Sequence, residues 1–484
     1  MSDGAERVLD PQWVGRLPYH FAKRHGVMSV GQVGDEVDIW SRQPIAGPIL
    51  AELERVLRRP LRLTVVGTEA FSAALNNGYA QDMSQAQQIM GDIDANLDLA
   101  ELAQRLPQTQ DLLEGDGDAP VVRLINALLT QAVRERASDI HIEPFESRSL
   151  VRFRVDGVLR DVIEPQKAAH GVVVSRIKIM SRLDIAEKRM PQDGRITLRL
   201  AGRPIDVRVS TVPTAHGERV VLRLLDKQAG RLNLSGLGMA DDTLQAVRDV
   251  IAQPHGIFLV TGPTGAGKTT TLYSVLSEFD TNAFNMMTVE DPVEYELDGV
   301  GQIQVNPKID LDFARALRAV LRQDPDIVMI GEIRDLETAR IAVQASLTGH
   351  LVLATLHTNN AVGAVTRLID MGVAPFLVAS SLLGVLAQRL VRMTCGACHG
   401  RSHAIGATCA PCGTTGYRGR TGIYELLRVN HGLKALIHER AAEARLHDWA
   451  VAQGLRTLHQ DGLRLVAAGQ TSMTEVLRVA RERS

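Results

Sequence analysis

Several features that would narrow the class of this protein are missing from its sequence of 484 residues. Neither sign of charge dominates: 54 Lys and Arg residues against 56 Asp and Glu residues give a net charge of −2, which argues against a globally basic nucleic-acid-binding protein. Internal repeats and low-complexity tracts are also missing. With 45% hydrophobic and 23% charged residues, the chain is expected to form globular domains.

The sequence also lacks a clear export signal or membrane span. Residues 1–20 carry charges and proline where a secretory signal needs an apolar stretch, so we expect a cytoplasmic protein. The best candidate for a span, 373–391, contains Gly384, Gln388 and Arg389 among its apolar residues. We interpret this run as a buried helix of a globular domain.

Cysteine is scarce, and all of it falls in one segment. The four residues form two CxxC pairs separated by ten residues: Cys395, Cys398, Cys409 and Cys412. In a reducing cytosol this pattern favours a structural zinc site over disulfides, with a redox dithiol as the lesser alternative. His399 and His403 lie close enough to be alternative ligands.

Length alone predicts about three structural units. An acidic, Gly-rich stretch at 111–120 and a loop at 227–238 mark boundaries. The predicted units cover residues 1–115, 119–230, 236–427 and 428–484, with a cysteine insert at 394–413. Alternating apolar residues after a first helix predict a mainly antiparallel sheet in the second unit. In the third unit, short apolar strands alternate with helices, which predicts an α/β fold with a mainly parallel sheet.

The most informative motif is a phosphate-binding loop. Residues 262–269, GPTGAGKT, match G-x-x-x-x-G-K-[ST] in full, after an apolar strand and before a helix-compatible run. We expect Lys268 to reach the β- and γ-phosphates of a nucleotide and Thr269 to help hold Mg²⁺. The predicted nucleotide-binding residues are Gly262, Pro263, Thr264, Gly265, Ala266, Gly267, Lys268, Thr269 and Thr270.

Hydrolysis also needs carboxylates, and two acidic clusters follow predicted strands. Glu290 and Glu294 lie in one cluster and Glu332 in the other. Gly331 stands directly after the second strand, where an Asp is usual, so we expect Glu332 to take the position near the metal and to act through water. Either Glu294 or Glu290 is then the candidate base.

Histidines and arginines supply further candidates. His357 ends a buried-looking strand and is either a γ-phosphate sensor or a satisfied core imidazole, while His350 begins the same strand. Arg318 and Arg322 share one face of a predicted helix, which is ordinarily solvated.

The motifs together resemble a known family. The segments GPTGAGKTTTLY, TVEDPVE, LRQDPDIVMIGEIRD, TGHLVLATLHTN and ASDIHIEP, with others between 119 and 427, are similar to the ATPases that power type II secretion and type IV pilus assembly. DAPVVRLINALLTQAVRERASDIHIEP most resembles the type II secretion ATPases, the E component of the general secretory pathway. The cysteine insert fits the secretion and pilus-extension branches, although its two pairs are closer than in most relatives.

This resemblance implies a RecA-like motor domain, a PAS-like α+β middle domain, a small helical N-terminal domain and a hexamer that binds ATP, Mg²⁺ and Zn²⁺. It implies that Glu290 and Glu294 belong to an acidic box of the site and that Glu332 is the Walker B glutamate. It also implies that His350 and His357 form a His box there. It further implies that arginines, some of them across a subunit interface, neutralise γ-phosphate charge: Arg195, Arg208, Arg318 and Arg322. The N-terminal domain would bind the cytoplasmic part of an inner-membrane platform protein, which would supply an indirect membrane association. A pilus-extension ATPase, a nucleotide-gated scaffold and a nucleic-acid motor are the alternatives, the last disfavoured by the balanced charge.

Overall fold

The structure is a computed structural model. It describes residues 10–74 with gaps at 15, 18–20, 23–24, 46, 68–70 and 72–73, then 119–226 except 201–202, 233–400, and 409–480 except 410 and 414. Much of the predicted linker at 111–120, part of the loop at 227–238, and His403 lie outside the described residues.

The N-terminal unit combines helices with a small sheet. Its described elements are α1 (Pro11–Val14), β1 (Val27–Val33), β2 (Glu36–Ser41), α2 (Gly47–Leu57) and β3 (Leu61–Val65). β2 is central, antiparallel to β1 and parallel to β3. Val37 and Ile39 alternate into a core with Trp13 and Leu53. The expectation of a helical N-terminal domain is therefore corrected to a mixed α/β one, because these short alternating strands bury one apolar face against the helices.

The middle unit is a six-stranded antiparallel sheet with two helices, of which the sequence predicted the sheet and the first helix. Its helices are α3 (Ala119–Arg134) and α4 (His170–Met180), and its strands are β4 (Ala137–Pro144), β5 (Ser149–Val155), β6 (Val158–Ile163), β7 (Gln192–Leu200), β8 (Arg203–Thr214) and β9 (Gly217–Asp226). The strand order is β6-β5-β4-β9-β8-β7. Ile140, Ile142 and Phe153 pack with Leu124 and Ile177 of the helices in one core. The opposite face of the sheet carries the charged residues of the alternating strands.

The third unit is built on a seven-stranded sheet. Its strands are β10 (Gly256–Thr261), β11 (Met286–Glu290), β12 (Val300–Gln304), β13 (Ile327–Ile330), β14 (Leu351–Leu356), β15 (Leu382–Thr394) and β16 (Tyr417–Arg428), and its helices are α5 (Asp241–Ile251), α6 (Lys268–Leu276), α7 (Phe313–Val320), α8 (Leu336–Leu347), α9 (Ala361–Asp370) and α10 (Pro375–Ser381). The order is β12-β11-β13-β14-β10-β15-β16, parallel except for β16. This confirms the predicted parallel α/β fold. The carboxyl ends of β11, β13, β14 and β10 therefore share one edge.

The apolar run at 373–391 is not a single buried helix. Only Pro375–Ser381 is helical, and from Leu382 onward the chain forms the long strand β15. A strand covered on both faces is almost continuously apolar, so its sequence resembles that of a buried helix. Among the described residues, no helix is both long and apolar enough to cross a membrane.

The chain continues into four short helices, in agreement with the helix-rich end that the sequence predicts. They are α11 (His431–His438), α12 (Glu443–Ala452), α13 (Leu458–Ala467) and α14 (Met473–Val479). Buried carboxylates attach them to the sheet. Glu425 on β16 accepts from the backbone N–H groups of Ala361 and Leu458, and Glu475 accepts from Arg392 N at 3.0 Å.

Candidate functional site at the carboxyl edge of the sheet

The predicted phosphate loop joins β10 to α6. Every residue of β10 is buried, so the strand gives the loop a rigid starting point. Gly265 and Gly267 adopt left-handed φ angles of 78° and 88°, and Gly267 directly precedes the first residue of α6. The loop thus ends at a helix N-terminus, where unpaired backbone N–H groups attract phosphate.

Lys268 lies inside this loop. It is 9% exposed, and its Nζ donates to Gly262 O at 2.9 Å and Pro263 O at 3.1 Å. Burial lowers the pKa of Lys268, the charge of Arg389 lowers it further, and the charge of Glu332 opposes both effects. Among the contacts of the described residues, the ammonium group has no direct carboxylate partner.

Glu332 follows β13 and faces His357, which follows β14. Its Oε2 is 3.4 Å from His357 Nε2, and its Oε1 pairs with Arg334. The Glu332 side chain is 19% exposed, against 49% for His357. β14 lies between β13 and β10 in the sheet, so the structure brings Glu332, His357 and Lys268 to one edge.

Gly331 explains why this site departs from the usual strand-then-Asp pattern. A Cβ at position 331 would lie 3.2 Å from Val289 O and 3.3 Å from the Glu290 Cα. A side chain there would crowd the backbone at the end of β11, and Gly331 N donates to Val289 O at 2.8 Å. The carboxylate is consequently one residue later, at Glu332.

Glu290 and Glu294 lie in different surroundings. Glu290 is 2% exposed and accepts hydrogen bonds from Tyr273 Oη, from Thr288 Oγ1 at 2.6 Å and from Gln302 Nε2 at 3.1 Å. The Glu294 side chain is 36% exposed. Glu294 can therefore meet water, whereas the carboxylate of Glu290 is already occupied by three donors.

The predicted arginines divide into two groups. Arg208 contacts the site: its Nη2 lies 3.4 Å from Glu294 Oε2 and 3.3 Å from Val293 O. Arg195 is directly opposite Arg208 on the neighbouring strand and pairs with Asp206. Arg318 pairs with Glu337, and Arg322 donates to Arg318 O at 3.0 Å; both are exposed. The last two side chains lie on the surface of this chain.

His350 is remote from the phosphate loop. It precedes β14, and its Nδ1 lies 2.9 Å from Ala345 O while its carbonyl accepts from Gly256 N. Because β10 and β14 are parallel, His350 lies at the amino edge of the sheet. It anchors the start of the strand.

The four cysteines converge at the end of β15. Their Sγ atoms all lie within 4.8 Å of one another and the residues are buried. The Cys395–Cys409 and Cys398–Cys412 Sγ distances are 3.8 and 3.7 Å. Tetrahedral zinc with Zn–S bonds of about 2.3 Å places sulfurs about 3.8 Å apart, so this donor set fits Zn²⁺.

Two of these thiols have pKa values shifted in opposite directions. Hydrogen bonds from the backbone N–H groups of Cys398 and Ala397 lower the pKa of Cys395 to about 7. Burial raises the pKa of Cys409 to about 12. A bound cation would offset the cost of ionising the buried thiols, because thiolates are the ligands that zinc binds.

Two residues beside the phosphate loop, Gln388 and Arg389, were not predicted from the sequence to act there. Gln388 Nε2 donates to Ala266 O at 2.7 Å, and Arg389 Nη2 donates to Asn359 O at 2.9 Å. Asn359 belongs to the segment after His357, which is also joined to β10 by a hydroxyl contact of 2.6 Å between Thr261 and Thr358. In the sequence, the signal for these two residues is that they are polar and interrupt an apolar run.

Curated relatives are similar over nearly the whole chain. The type II secretion system protein HxcR of Pseudomonas aeruginosa is 57% identical, with 96% of this chain and 99% of that protein covered. The type II secretion system ATPase E of Vibrio cholerae is 52% identical, with 99% of each covered.

Solved structures share the fold. The pilus retraction motor PilT with bound ADP is 26% identical with a TM-score of 0.52, covering 73% of this chain and 96% of that one. The ATPase DotB of Legionella pneumophila is 21% identical with a TM-score of 0.58, covering 74% and 95%. Residues 16–79 match an amino-terminal domain of GSPII protein E, and residues 114–478 match the family described as type II/IV secretion system protein. The chain belongs to the type II/IV secretion system protein family.

Proposed function

We propose that this protein is the ATP-hydrolysing motor of a type II secretion system, in which hydrolysis drives assembly of the pseudopilus and export of proteins. One observation carries the proposal: a phosphate loop with a buried lysine lies on the same sheet edge as the Glu332–His357 pair. The high identity to full-length type II secretion relatives supports the choice of this system over pilus extension.

The residues of this site would each take a separate part in binding and hydrolysing ATP. Backbone N–H groups of residues 262–270 and the Lys268 ammonium would bind the phosphates. Mg²⁺, held by Thr269 and through water by Glu332, would offset negative charge on the β- and γ-phosphates. Glu294, which is open to water, would accept the proton of the attacking water, and His357 would contact the γ-phosphate. Glu290 fits a supporting role better than that of a base.

The positions of the exposed arginines favour an assembly of several copies of this chain. Arg318 and Arg322 lie on the surface of their own chain, where a neighbouring subunit's phosphates could be within reach. Arg208 meets Glu294 from the middle unit, and Arg195 lies opposite Arg208 in the sheet. We propose a homo-hexamer in which such cations neutralise γ-phosphate charge.

The N-terminal unit supplies the proposed link to the membrane. It would bind the cytoplasmic domain of an inner-membrane platform protein and so place a cytoplasmic enzyme at the membrane periphery. The match of residues 16–79 to a domain of GSPII protein E supports this assignment. No nucleic-acid partner is proposed.

The test is steady-state ATPase activity of the wild type and of Glu332→Gln. Loss of the carboxylate is expected to lower kcat by about 100-fold or more while Mg·ATP still binds. Glu439→Gln is the control, because among the described residues the Glu439 side chain pairs with Arg445 alone, in an exposed position. Wild-type turnover no faster than that of Glu332→Gln would reject a motor and favour a nucleotide-gated scaffold.

A further inference from the structure

The apolar strand β15 carries a polar side chain, Gln388, at the phosphate loop. β15 pairs in parallel with β10 and places Ala387 opposite Thr261, so Gln388 lies beside the first residue of the loop. Its side chain is 2% exposed. A polar group buried to this degree must be hydrogen-bonded, and the identity of its partners shows what it positions.

One end of the Gln388 amide contacts the phosphate loop, and the other end contacts the helix α6 that follows it. Nε2 donates to Ala266 O at 2.7 Å, and Oε1 accepts from Thr271 Oγ1 at 2.7 Å. These partners lie on either side of Gly267 and Lys268. Gln388 therefore joins the loop to the first turn of α6 across the residues expected to bind phosphate.

The contact to Ala266 O sets the direction of the next amide. In a trans peptide the C=O and N–H groups point in opposite directions, and the Ala266–Gly267 bond is trans. Holding the carbonyl against the Gln388 amide consequently turns the Gly267 N–H away from Gln388. Loops of this kind bind phosphate through N–H groups that converge on one point.

Gly267 is adapted to this close approach. Its φ is +88°, and a Cβ there would lie 2.8 Å from Gln388 Nε2. Glycine is thus needed at 267 both for the left-handed backbone and for the space that the Gln388 amide occupies. The two residues are complementary although they are far apart in the sequence.

We propose that Gln388 is a positioning residue that preorganises the phosphate loop for a nucleoside triphosphate. This rests on the nucleotide binding proposed above and adds the residue that holds the loop in its binding form. Without the Nε2 donor of Gln388, this hydrogen bond no longer holds the Ala266–Gly267 peptide in place. Ordering the peptide then costs part of the binding free energy of the nucleotide. Affinity for Mg·nucleotide then falls although Lys268 and Thr269 are intact.

The experiment measures Mg·ADP binding by calorimetry, together with KM and kcat for ATP. Gln388→Met keeps the length of the side chain and removes the amide, so we expect about tenfold weaker Mg·ADP binding, with KM raised more than kcat is lowered. Thr271→Val is the matched control, because it removes the other partner of Gln388 and leaves the Ala266 contact. Its dissociation constant is expected to stay within about threefold of the wild type.

Gln388→Glu is the second variant, since it keeps the shape and an acceptor and loses the Nε2 donor. It should weaken Mg·ADP binding at least as much as Gln388→Met. Wild-type affinity in either folded variant, or equal losses in Gln388→Met and Thr271→Val, would overturn the proposal. Loss of a cooperative melt in both Gln388 variants would also overturn it, by showing a general structural role. If the wild type itself bound no nucleotide, the proposed function would fail instead.

Discussion

Two glutamates four positions apart, Glu290 and Glu294, illustrate how surroundings decide a role. Glu290 ends a buried strand and receives three hydrogen bonds, from Tyr273, Thr288 and Gln302. Glu294 lies beyond the strand and meets Arg208 at 3.4 Å. A general base has to reach water, and only Glu294 of this pair is open to it.

Glutamine substitutions separate the two roles. Glu294→Gln should lower kcat by about 100-fold or more, because the water loses its proton acceptor, with an unchanged melting temperature. Glu290→Gln should lower the free energy of unfolding by about 1–3 kcal/mol, since an amide NH₂ would face groups that already donate. Activity assays and thermal melts of both variants check this. The reverse pattern would make Glu290 the base.

Glu475 provides a pH-dependent contribution to stability. It is 1% exposed, and its hydrogen bonds with Arg478 and Arg392 bring its pKa down to about 2 despite the opposing effect of burial. A carboxyl whose pKa is lower in the folded state stabilises the fold above its unfolded pKa, and this contribution is lost as pH falls from about 4.5 to about 2.

Glu475→Gln tests this sign. At pH 7 the variant should be less stable by up to about 3 kcal/mol, and the difference from the wild type should shrink below about pH 4.5. Unfolding midpoints measured from pH 7 to pH 3 give the comparison. A difference that stays constant over this range would show that the charge of Glu475 contributes nothing.

The sequence predicted residues whose function depends on neighbours in the chain, and it did not predict residues whose partners are distant in the chain. The phosphate loop could be predicted because its function is carried by consecutive backbone amides and one lysine. Gln388 could not, because its partner Ala266 is 122 positions away and only the sheet order brings them together. His350 and His357 are at the two ends of one strand, and only the parallel pairing of β14 with β10 distinguishes their edges.

The hairpin of β15 and β16 connects the phosphate loop to the cysteine cluster. β15 begins at Leu382 opposite Ile257, passes Gly262 at Gln388 and ends at Thr394. Cys395 follows directly, with its N–H bonded to Gly416 O at 2.8 Å. The four thiols therefore close the end of the hairpin. A metal there would fix the ends of both strands, since it links residues that no disulfide joins.

Zinc content tests this arrangement. We expect about one zinc per chain by elemental analysis, lost in Cys398→Ser, with a melting temperature lower by about 5 °C or more. His399→Ala is the control and should keep its zinc, because the four sulfurs already complete a tetrahedral set. Zinc loss in His399→Ala, or full zinc in Cys398→Ser, would contradict the four-cysteine assignment.

Helices and strands with a recognisable pattern of apolar residues were predicted well, and those without such a pattern were not. β10, β11, β13 and β14 were recognised because each is a short apolar run between helical stretches. β15 was taken for a helix because both of its faces are buried, which removes the alternation that normally identifies a strand. The N-terminal sheet was not predicted, because the family resemblance implied a helical domain there and β3 is largely exposed.

The middle unit contacts the motor through a turn and an arginine. Asp156, in the turn between β5 and β6, accepts from Gly419 N at 2.8 Å and pairs with Arg420 at 3.6 Å. Arg208 reaches Glu294. These polar contacts are of the kind that a hinge can break and remake during a catalytic cycle.

Asp156→Ala should loosen this connection. We expect faster amide hydrogen exchange at 417–421, because Gly419 N loses its acceptor, without a change at the phosphate loop. Asp156→Asn keeps one acceptor oxygen and should lie between the wild type and the alanine variant. Unchanged exchange at 417–421 in Asp156→Ala would show that the turn does not hold β16.

Capture of a nucleotide at the loop between β10 and α6 is the step on which the proposed motor function depends most. Calorimetric titration of Mg·ATP into the wild type and into Lys268→Ala measures this directly. We expect saturable binding by the wild type and at least about tenfold weaker binding by the variant, since the phosphates lose their buried cation. Equal affinities, or no binding by the wild type, would contradict the assignment of this edge of the sheet as the site where ATP is hydrolysed.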